Sequence, residues 1–432
     1  MKYFLTLIQL WVGFLSICAS YPKANIWIIP SVESPQVYRN YAQTSKVHLE
    51  MARGEVEHIQ LVFPSKVNEE YRFTFDRYLK GIQISARELK KMNGYYDALV
   101  PFKNQLKCTD TLTAVWITVQ CPSRVPVGKY HQTIKIEGSK HFTIQLDYNV
   151  HHTTIPLKSS IPITVGVENR CMTEGLNDKE ADKERQRWVD FVLSYRMTPV
   201  FGTQITPERW QYEHSFSPWA WNDKRSIRLL NDRRYSCYML PFFTLSENEL
   251  ASLLCNIQKK GKLKESLFYI WDEPAYMEDY EQIKRKVNII RKYASDARIL
   301  TTFFCGPRNG PRKGDLYAVF DYLKHHIHVA TISLAPCKGN EEEVQHIRYK
   351  VPEGIDWWSY VCWQPGGNEP NFLLQMKGIQ QRAIMWRTWK NGSQGFLYWN
   401  CNIYHKRNPF TYITDMRSEE HTSELQSHLM IS

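Results

Sequence analysis

The chain has 432 residues, of which 43% are hydrophobic and 13% aromatic, with 14 Trp and 25 Tyr. That is enough apolar material for two or three domains with sizeable cores, and it excludes a disordered chain. The formal charge is +11, but Lys and Arg are scattered and form no contiguous basic patch, so no nucleic-acid partner is expected.

Residues 1–20 read as a signal peptide. Lys2 is the charged start, residues 4–17 are apolar, and Cys18, Ala19 and Ser20 favour cleavage before Tyr21. The expectation is therefore an exported protein: secreted, periplasmic or at the cell surface. Acylation at Cys18 is the weaker reading, because Ile17 is bulky where a small residue is needed. The apolar run is short for a membrane helix, and no later stretch is long enough for a transmembrane span. Of ten cysteines, those after Cys18 are spread evenly without a C-x-x-C pair, which fits neither a zinc site nor a disulfide-dense scaffold. Cys108 and Cys121 are spaced to bridge a hairpin; most of the others read as buried thiols.

Residues 21–160 carry short, often alternating strand signals at 47–50, 56–63, 71–75, 82–85, 115–120, 131–137 and 142–150, separated by Gly, Pro and Asn. Regular short strands with turn residues between them predict a β-sandwich. From Ile161 the period changes. Strands at 161–167, 199–202, 237–243, 266–271, 298–304, 326–333, 355–361 and 395–399 alternate with helical patterns, clearest at 178–195, 247–260, 277–293 and 372–390. An aromatic loop through Trp210, Trp219 and Trp221 follows the second strand. Eight strand–helix units over about 240 residues predict a (β/α)8 TIM-type barrel. The expected organisation is a signal peptide at 1–20, a β-sandwich at 21–160, a barrel at 161–416 that is incomplete at its C-terminal end, and a non-native tail at 417–432. The tail is set apart because residues 417–427, RSEEHTSELQS, read like a translated sequencing-adapter oligonucleotide.

The stretch that concentrates the chemistry is residues 266–276, SLFYIWDEPAY. An apolar run without helical spacing reads as a buried strand. Asp272 and Glu273 follow it, and Pro274 stops the ladder. In a barrel, the C-terminal ends of the strands carry the active site. The competing structural reading is an Asp that caps the next helix beside a solvated Glu. Adjacent acids suit glycoside hydrolysis, in which one carboxyl protonates the leaving oxygen and a second group serves the anomeric centre. Successive strand residues point to opposite faces, so both acids reach one substrate only if the strand end twists or bulges. Glu273, the longer and apolar-flanked acid, is the candidate acid/base; Asp272 is the candidate holder of a substrate N–H. Nearby aromatics and amides are the candidate sugar contacts: Trp271 and Tyr276 at strand four, Trp358, Tyr360 and Trp363 at strand seven, and Tyr398, Trp399, Asn400 and Asn402 at strand eight. Glu168, Asn169 and Arg170 follow strand one in the same way. For any single aromatic, a packing role is the standing alternative. There is no metal-ligand spacing and no phosphate-binding or serine-nucleophile motif, so neither metal nor organic cofactor is implied.

FYIWDEPAY, WWSYVCWQPGGNEPN and GFLYWNCNIY, in this order, resemble the catalytic domain of glycoside hydrolase family 123. Residues 52–55 (ARGE) and 59–62 (IQLV) resemble the sandwich that precedes it. The resemblance runs from about Lys46 to Phe410. It implies a retaining β-N-acetylgalactosaminidase in which the substrate's own 2-acetamido oxygen attacks the anomeric carbon, with the family's Asp-Glu pair falling on Asp272 and Glu273. The implied partner is a glycan ending in a 2-acetamido sugar. Another 2-acetamido sugar, or a catalytically silent glycan-binding protein on the same scaffold, are the alternatives. The family's Gly-Asp-Gly and Tyr-Pro-Gly segment and closing helix have no counterpart after Phe410.

Overall fold

The computed structural model describes residues 25–76, 81–92, 94–206, 209–212, 224–241, 246–335, 346 and 349–402. The expected signal peptide and tail lie outside these residues, as do Trp219 and Trp221. Compactness divides the chain into two units, Met1–Leu89 with Val100–Thr154 and Lys90–Leu99 with Ile155–Ser432.

The N-terminal strands form two five-stranded sheets. One runs β1 (Trp27–Pro30), β3 (Val56–Pro64), β8 (Leu112–Gln120), β5 (Gln83–Met92), β6 (Tyr95–Pro101); the other runs β2 (Lys46–Arg53), β10 (His141–Thr154), β9 (Gly128–Glu137), β4 (Glu70–Phe75), β7 (Gln105–Lys107). Their sequences alternate as half-buried strands should. In β9, Tyr130, Gln132, Ile134 and Ile136 are buried, while Lys129, His131 and Lys135 are exposed. The inward residues, among them Leu61, Phe63, Tyr71, Ile117, Ile134 and Ile144, form one core between the sheets. The second sheet is mixed, because β2 lies parallel to β10. Cys108 and Cys121 are buried free thiols, not a bridge. Burial raises the pKa of both, so they stay protonated.

The second unit is a nearly closed eight-stranded parallel barrel. Its strands are β11 (Ile163–Glu168), β12 (Thr198–Thr206), β14 (Tyr238–Pro241), β15 (Ser266–Trp271), β16 (Arg298–Phe303), β17 (Val329–Ser333), β18 (Asp356–Val361) and β19 (Gly395–Tyr398), with β19 returning to pair with β11. The hairpin strand β13 (Arg209–Tyr212) adds to β12 in antiparallel fashion, so Trp210 lies in a strand and not in a loop. Helices include α1 (Asn169–Thr173), α2 (Asp178–Ser194), α3 (Lys224–Asn231), α4 (Glu247–Lys259), α5 (Met277–Tyr293), α6 (Ala318–Leu323) and α7 (Gly378–Lys390). In α5, buried Tyr280, Ile283, Val287 and Ile290 recur at helical spacing and make its inner stripe.

Barrel strands are buried on both faces, and their residues sort into two cores. Phe268, Ile270, Ile299, Phe303, Ile332, Trp357 and Val361 pack with the helices. Cys237, Leu267, Tyr269, Leu300, Val329 and Trp358 pack on one another, filling the ring. Two glycines admit this filling. A Cβ on Gly395 would stand 2.1 Å from the Trp358 ring, and one on Gly166 would stand 1.7 Å from the Trp399 carbonyl oxygen.

Two boundaries differ from expectation. The last helix begins at Gly378, not Phe372, because Lys377 is extended, at φ −69° and ψ 142°, and stands as its N-cap. The sixth strand begins at Val329, not His326, because the N–H groups of His326 and Ile327 bond back to Leu323 and close the preceding helical turn.

Gly166→Ala should destabilise the protein by about 3 kcal/mol or more, since backbone must move to admit the methyl group. Gly366→Ala, where a Cβ meets nothing within 4 Å, should stay within about 0.5 kcal/mol. Urea-unfolding midpoints of the two variants check the contrast.

Candidate active site

The ladder between β15 and β16 breaks at its end. Leu267, Phe268 and Tyr269 pair with Arg298, Ile299 and Leu300, but Trp271 then pairs with Thr301. One extra residue in β15 makes a bulge, which resets the alternation. Ile270 and Trp271 consequently both join the helix-facing layer, and Trp271 lies under Lys286 Nζ of α5 at 4.9 Å. Two residues on, Glu273 adopts φ 46°, a left-handed conformation that costs a non-glycine residue about 1–3 kcal/mol. These two departures bring the adjacent acids together, close enough for the charge on Asp272 to act on Glu273.

Asp272 does not cap α5. Asp279 does, accepting from the backbone N–H groups of Ala275 and Tyr276 at 2.8 Å each. The Asn309 side chain accepts from Met277 N–H at 2.8 Å, and the Ala275 carbonyl accepts from Arg308 N–H at 2.7 Å. The helix end of the loop is thus held without the carboxylate of either acid. Asp272 turns to hydroxyls inside the ring: Tyr269 donates to its Oδ1 at 2.5 Å and Thr302 donates to the same oxygen at 2.7 Å. Thr302 Oγ1 in turn accepts the backbone N–H of Glu273 at 3.1 Å.

Among the described residues Glu273 takes a single side-chain donor. The Tyr360 hydroxyl donates to its Oε1. Its pKa is raised, chiefly by desolvation among the protein atoms around the carboxyl, although the residue as a whole is exposed. The Tyr360 hydrogen bond pulls it down, the Asp272 charge pushes it up, and the Arg308 guanidinium pulls it down. Tyr360 is itself held protonated by burial and by the carboxylate beside it, so it remains a donor.

The other expected contacts divide. Trp358 is buried in the ring, in one cluster with Tyr269. Tyr276 and Trp363, on the loops after strands four and seven, are 48% and 50% exposed. The Trp363 loop is firmly held: Asn371 Nδ2 donates to the Cys362 and Pro365 carbonyls at 2.8 and 2.9 Å, and Arg387 of α7 pairs with Glu369 at 2.6 Å. Asn400 and Asn402 are fully buried and tie strand eight to strand one: Asn402 accepts from Glu168 N–H at 2.6 Å and donates to its carbonyl at 3.2 Å, while Asn400 Oδ1 accepts from Asn402 N–H at 2.9 Å. Trp399 packs against the helix-side core. Tyr398 faces the helix layer, edge-on to Phe372 at 4.9 Å. It lines an apolar cavity of about 260 Å³ with Val165, Met197 and Phe396, which contains no carboxylate. Trp271 and Tyr398 therefore stand in the helix–strand layer, apart from the acids. Glu168 is buried at the end of β11, and Asn169 accepts from Arg185 at 2.7 Å. Among the described residues no group of three His, Cys, Asp or Glu side chains could hold a metal ion.

Sequence reasoning missed Tyr269, Thr302 and Arg308. The run ILTTF gave no signal for Thr302, since Thr301, Thr331 and Ser359 are also buried hydroxyls of barrel strands.

A parallel barrel with paired acids at the end of strand four is the arrangement of a glycosidase. Residues 183–421 match the model of the glycoside hydrolase 123 catalytic domain, more than half of the chain, and the chain belongs to that family. The solved structure of a family 123 glycoside hydrolase from Clostridium perfringens, described for glycolipid glycan hydrolysis, has 12% identity over 92% of this chain and 81% of that one, with a TM-score of 0.62. This similarity concerns the fold. A Dictyoglomus thermophilum β-D-glucuronidase, at 9% identity over 91% of this chain and 71% of that one, reaches a TM-score of only 0.35. No curated protein matches the chain.

The hydrogen bond from Tyr360 favours the ionised form of Glu273, so its removal raises the pKa of that acid. If Glu273 must be protonated to act, Tyr360→Phe should move the alkaline limb of the kcat/KM profile to higher pH. A limb that stays in place or moves down contradicts the assignment.

Proposed function

We propose that this glycosidase is a retaining exo-enzyme that removes terminal β-linked N-acetylgalactosamine with the help of the substrate's own acetamido group. The observation that carries this reading is the unlike surroundings of two neighbouring carboxylates. One has donors on a single oxygen; the other is pushed toward its protonated form. Such divergence is how a site divides acid and base roles.

Glu273, protonated, gives its proton to the glycosidic oxygen as the bond from that oxygen to C1 breaks. The acetamido carbonyl oxygen forms a bond to C1 from the other face, closing a five-membered ring. Asp272 Oδ2, which takes no hydrogen bond from the described residues, accepts the acetamido N–H and balances the charge that develops there. Water then attacks C1, Glu273 takes its proton, and the ring reopens with the original anomeric configuration. Tyr276 and Trp363 are the exposed aromatics next to the acids' loops and suit stacking on sugar faces. The relative studied for glycolipid glycan hydrolysis supports a glycolipid glycan as the larger substrate, and residues 1–20 support export. The second reading, N-acetylglucosamine or another 2-acetamido sugar, shares all of these contacts, because none of them addresses the 4-hydroxyl epimer.

Release of aryl alcohol from aryl β-N-acetylgalactosaminide and its gluco epimer tests the reading. Glu273→Gln should lower turnover of substrates with poor leaving groups by about 10²–10⁴-fold, and far less for an activated leaving group. Asp272→Asn should abolish the preference for a 2-acetamido over a 2-hydroxy sugar. Equal cleavage of both sugars by the wild type contradicts the substrate-assisted route.

A further inference from the structure

Thr302 occupies a position that the reaction scheme does not use. Its hydroxyl has one hydrogen and two lone pairs, and it has three polar neighbours: Asp272 Oδ1 at 2.7 Å, the Glu273 N–H at 3.1 Å and the Tyr269 hydroxyl at 3.0 Å. The Glu273 N–H can only donate, so one lone pair of Oγ1 is committed to it. An ionised Asp272 can only accept, so the Thr302 hydrogen is committed to Oδ1. Tyr269 also points its hydrogen at Oδ1. The two hydroxyls therefore bring both of their protons to one carboxylate oxygen; the oxygen opposite takes no hydrogen bond from the described residues and is available to a ligand. Neither hydroxyl is free to turn elsewhere at low cost, since Tyr269 and Thr302 are each no more than 2% exposed and a buried hydroxyl without its partner is costly.

The same oxygen that orients the Asp272 side chain also holds the backbone of Glu273, at the residue with φ 46°. Thr302 is thus the one described side chain that touches both members of the pair. It comes from the neighbouring strand β16, just past the point where the bulge shifts the register. We infer that Thr302, backed by Tyr269, is the positioning residue that fixes the two acids relative to each other and selects which oxygen of Asp272 meets the substrate. This rests on the proposed roles of Asp272 and Glu273 and adds a residue to them. The chemical requirement is specific: the position needs a hydroxyl, because one atom must donate to a carboxylate and accept from an amide at once. Valine has the shape and neither capacity; serine has both capacities.

The test compares Thr302→Val, Thr302→Ser and Tyr269→Phe with Asp272→Asn in the full chain, using whichever aryl 2-acetamido glycoside the wild type cleaves. Thr302→Val should lose about 10²-fold in kcat, the order expected of an ångström-scale misplacement, with KM changed only a few-fold. Thr302→Ser should recover most of the loss, and Tyr269→Phe should fall between them. Affinity for a 1,2-fused thiazoline of the sugar, which mimics the closed ring, should fall with kcat in Thr302→Val, while affinity for the free sugar should hold. A merely structural role would weaken both. Should the valine variant fail to fold, Thr302→Ala removes the same hydroxyl with less bulk. If Asp272→Asn is inactive while Thr302→Val keeps wild-type kcat, the inference is overturned and the roles of the acids stand. If Asp272→Asn keeps wild-type activity, or no 2-acetamido glycoside is cleaved, the roles themselves are wrong. The crystal structure of Thr302→Val then decides the positioning alone, with a turned Asp272 carboxylate supporting it and an unmoved one overturning it.

Discussion

Two neighbouring residues of a β-strand naturally face opposite ways, and the site depends on defeating that geometry. The bulge at Ile270 and Trp271 shifts the phase of the strand end, and the left-handed turn at Glu273 folds the second acid back beside the first. The backbone cost of that turn is about 1–3 kcal/mol, and it is met by bonds that cluster on the same few residues. Asp279, Asn309 and Arg308 hold the loop beyond Pro274, and Thr302 holds the Glu273 amide. Strain of this sort persists where the surroundings over-determine it, and here the surroundings are the floor and rim of the barrel mouth.

Once the acids are side by side, their environments separate them chemically. Asp272 sits over two buried hydroxyls that both donate to one of its oxygens. Glu273 is crowded by protein atoms and by the charge on Asp272, and it is moderated by Tyr360 and Arg308. The balance matters more than either extreme. An acid pushed up without restraint could not act as a base after the first step, and one held down by several donors could not deliver a proton. Tyr360 is the adjustable member of this set because it touches Glu273 directly and cannot itself ionise near neutral pH.

Much of this was legible in the sequence. The eight barrel strands stood out because strands buried on both faces are apolar runs, and the acids stood out because SLFYIW ends in DEP. The family resemblance fell on the same stretch. What the sequence could not convey was phase. By simple alternation from Tyr269, Trp271 faces inward, yet the bulge turns it to the helices. Tyr398, one residue from Leu397, lies on the helix side for the ordinary reason of alternation, and nothing in YWNCN distinguishes it from a sugar platform. Asn400 and Asn402 look like sugar ligands in one dimension; in three they are the fastening between the first and last strands. Thr302 and Tyr269 were invisible for the converse reason, since one hydroxyl in a run of strand formers carries no mark until its neighbours are known. The missing disulfide between Cys108 and Cys121 is of the same kind: spacing allowed a bridge, and the sandwich core absorbed both thiols separately.

The central claim is that Asp272 and Glu273 converge on a single bound sugar. The most direct measurement is a crystal structure of the wild-type protein with a 1,2-fused thiazoline of N-acetylgalactosamine. The account predicts Asp272 Oδ2 within hydrogen-bonding distance of the thiazoline nitrogen, and a Glu273 oxygen near the face of C1 from which the leaving group departs. A sugar seated away from strand four, or one that meets only one of the two acids, would contradict it.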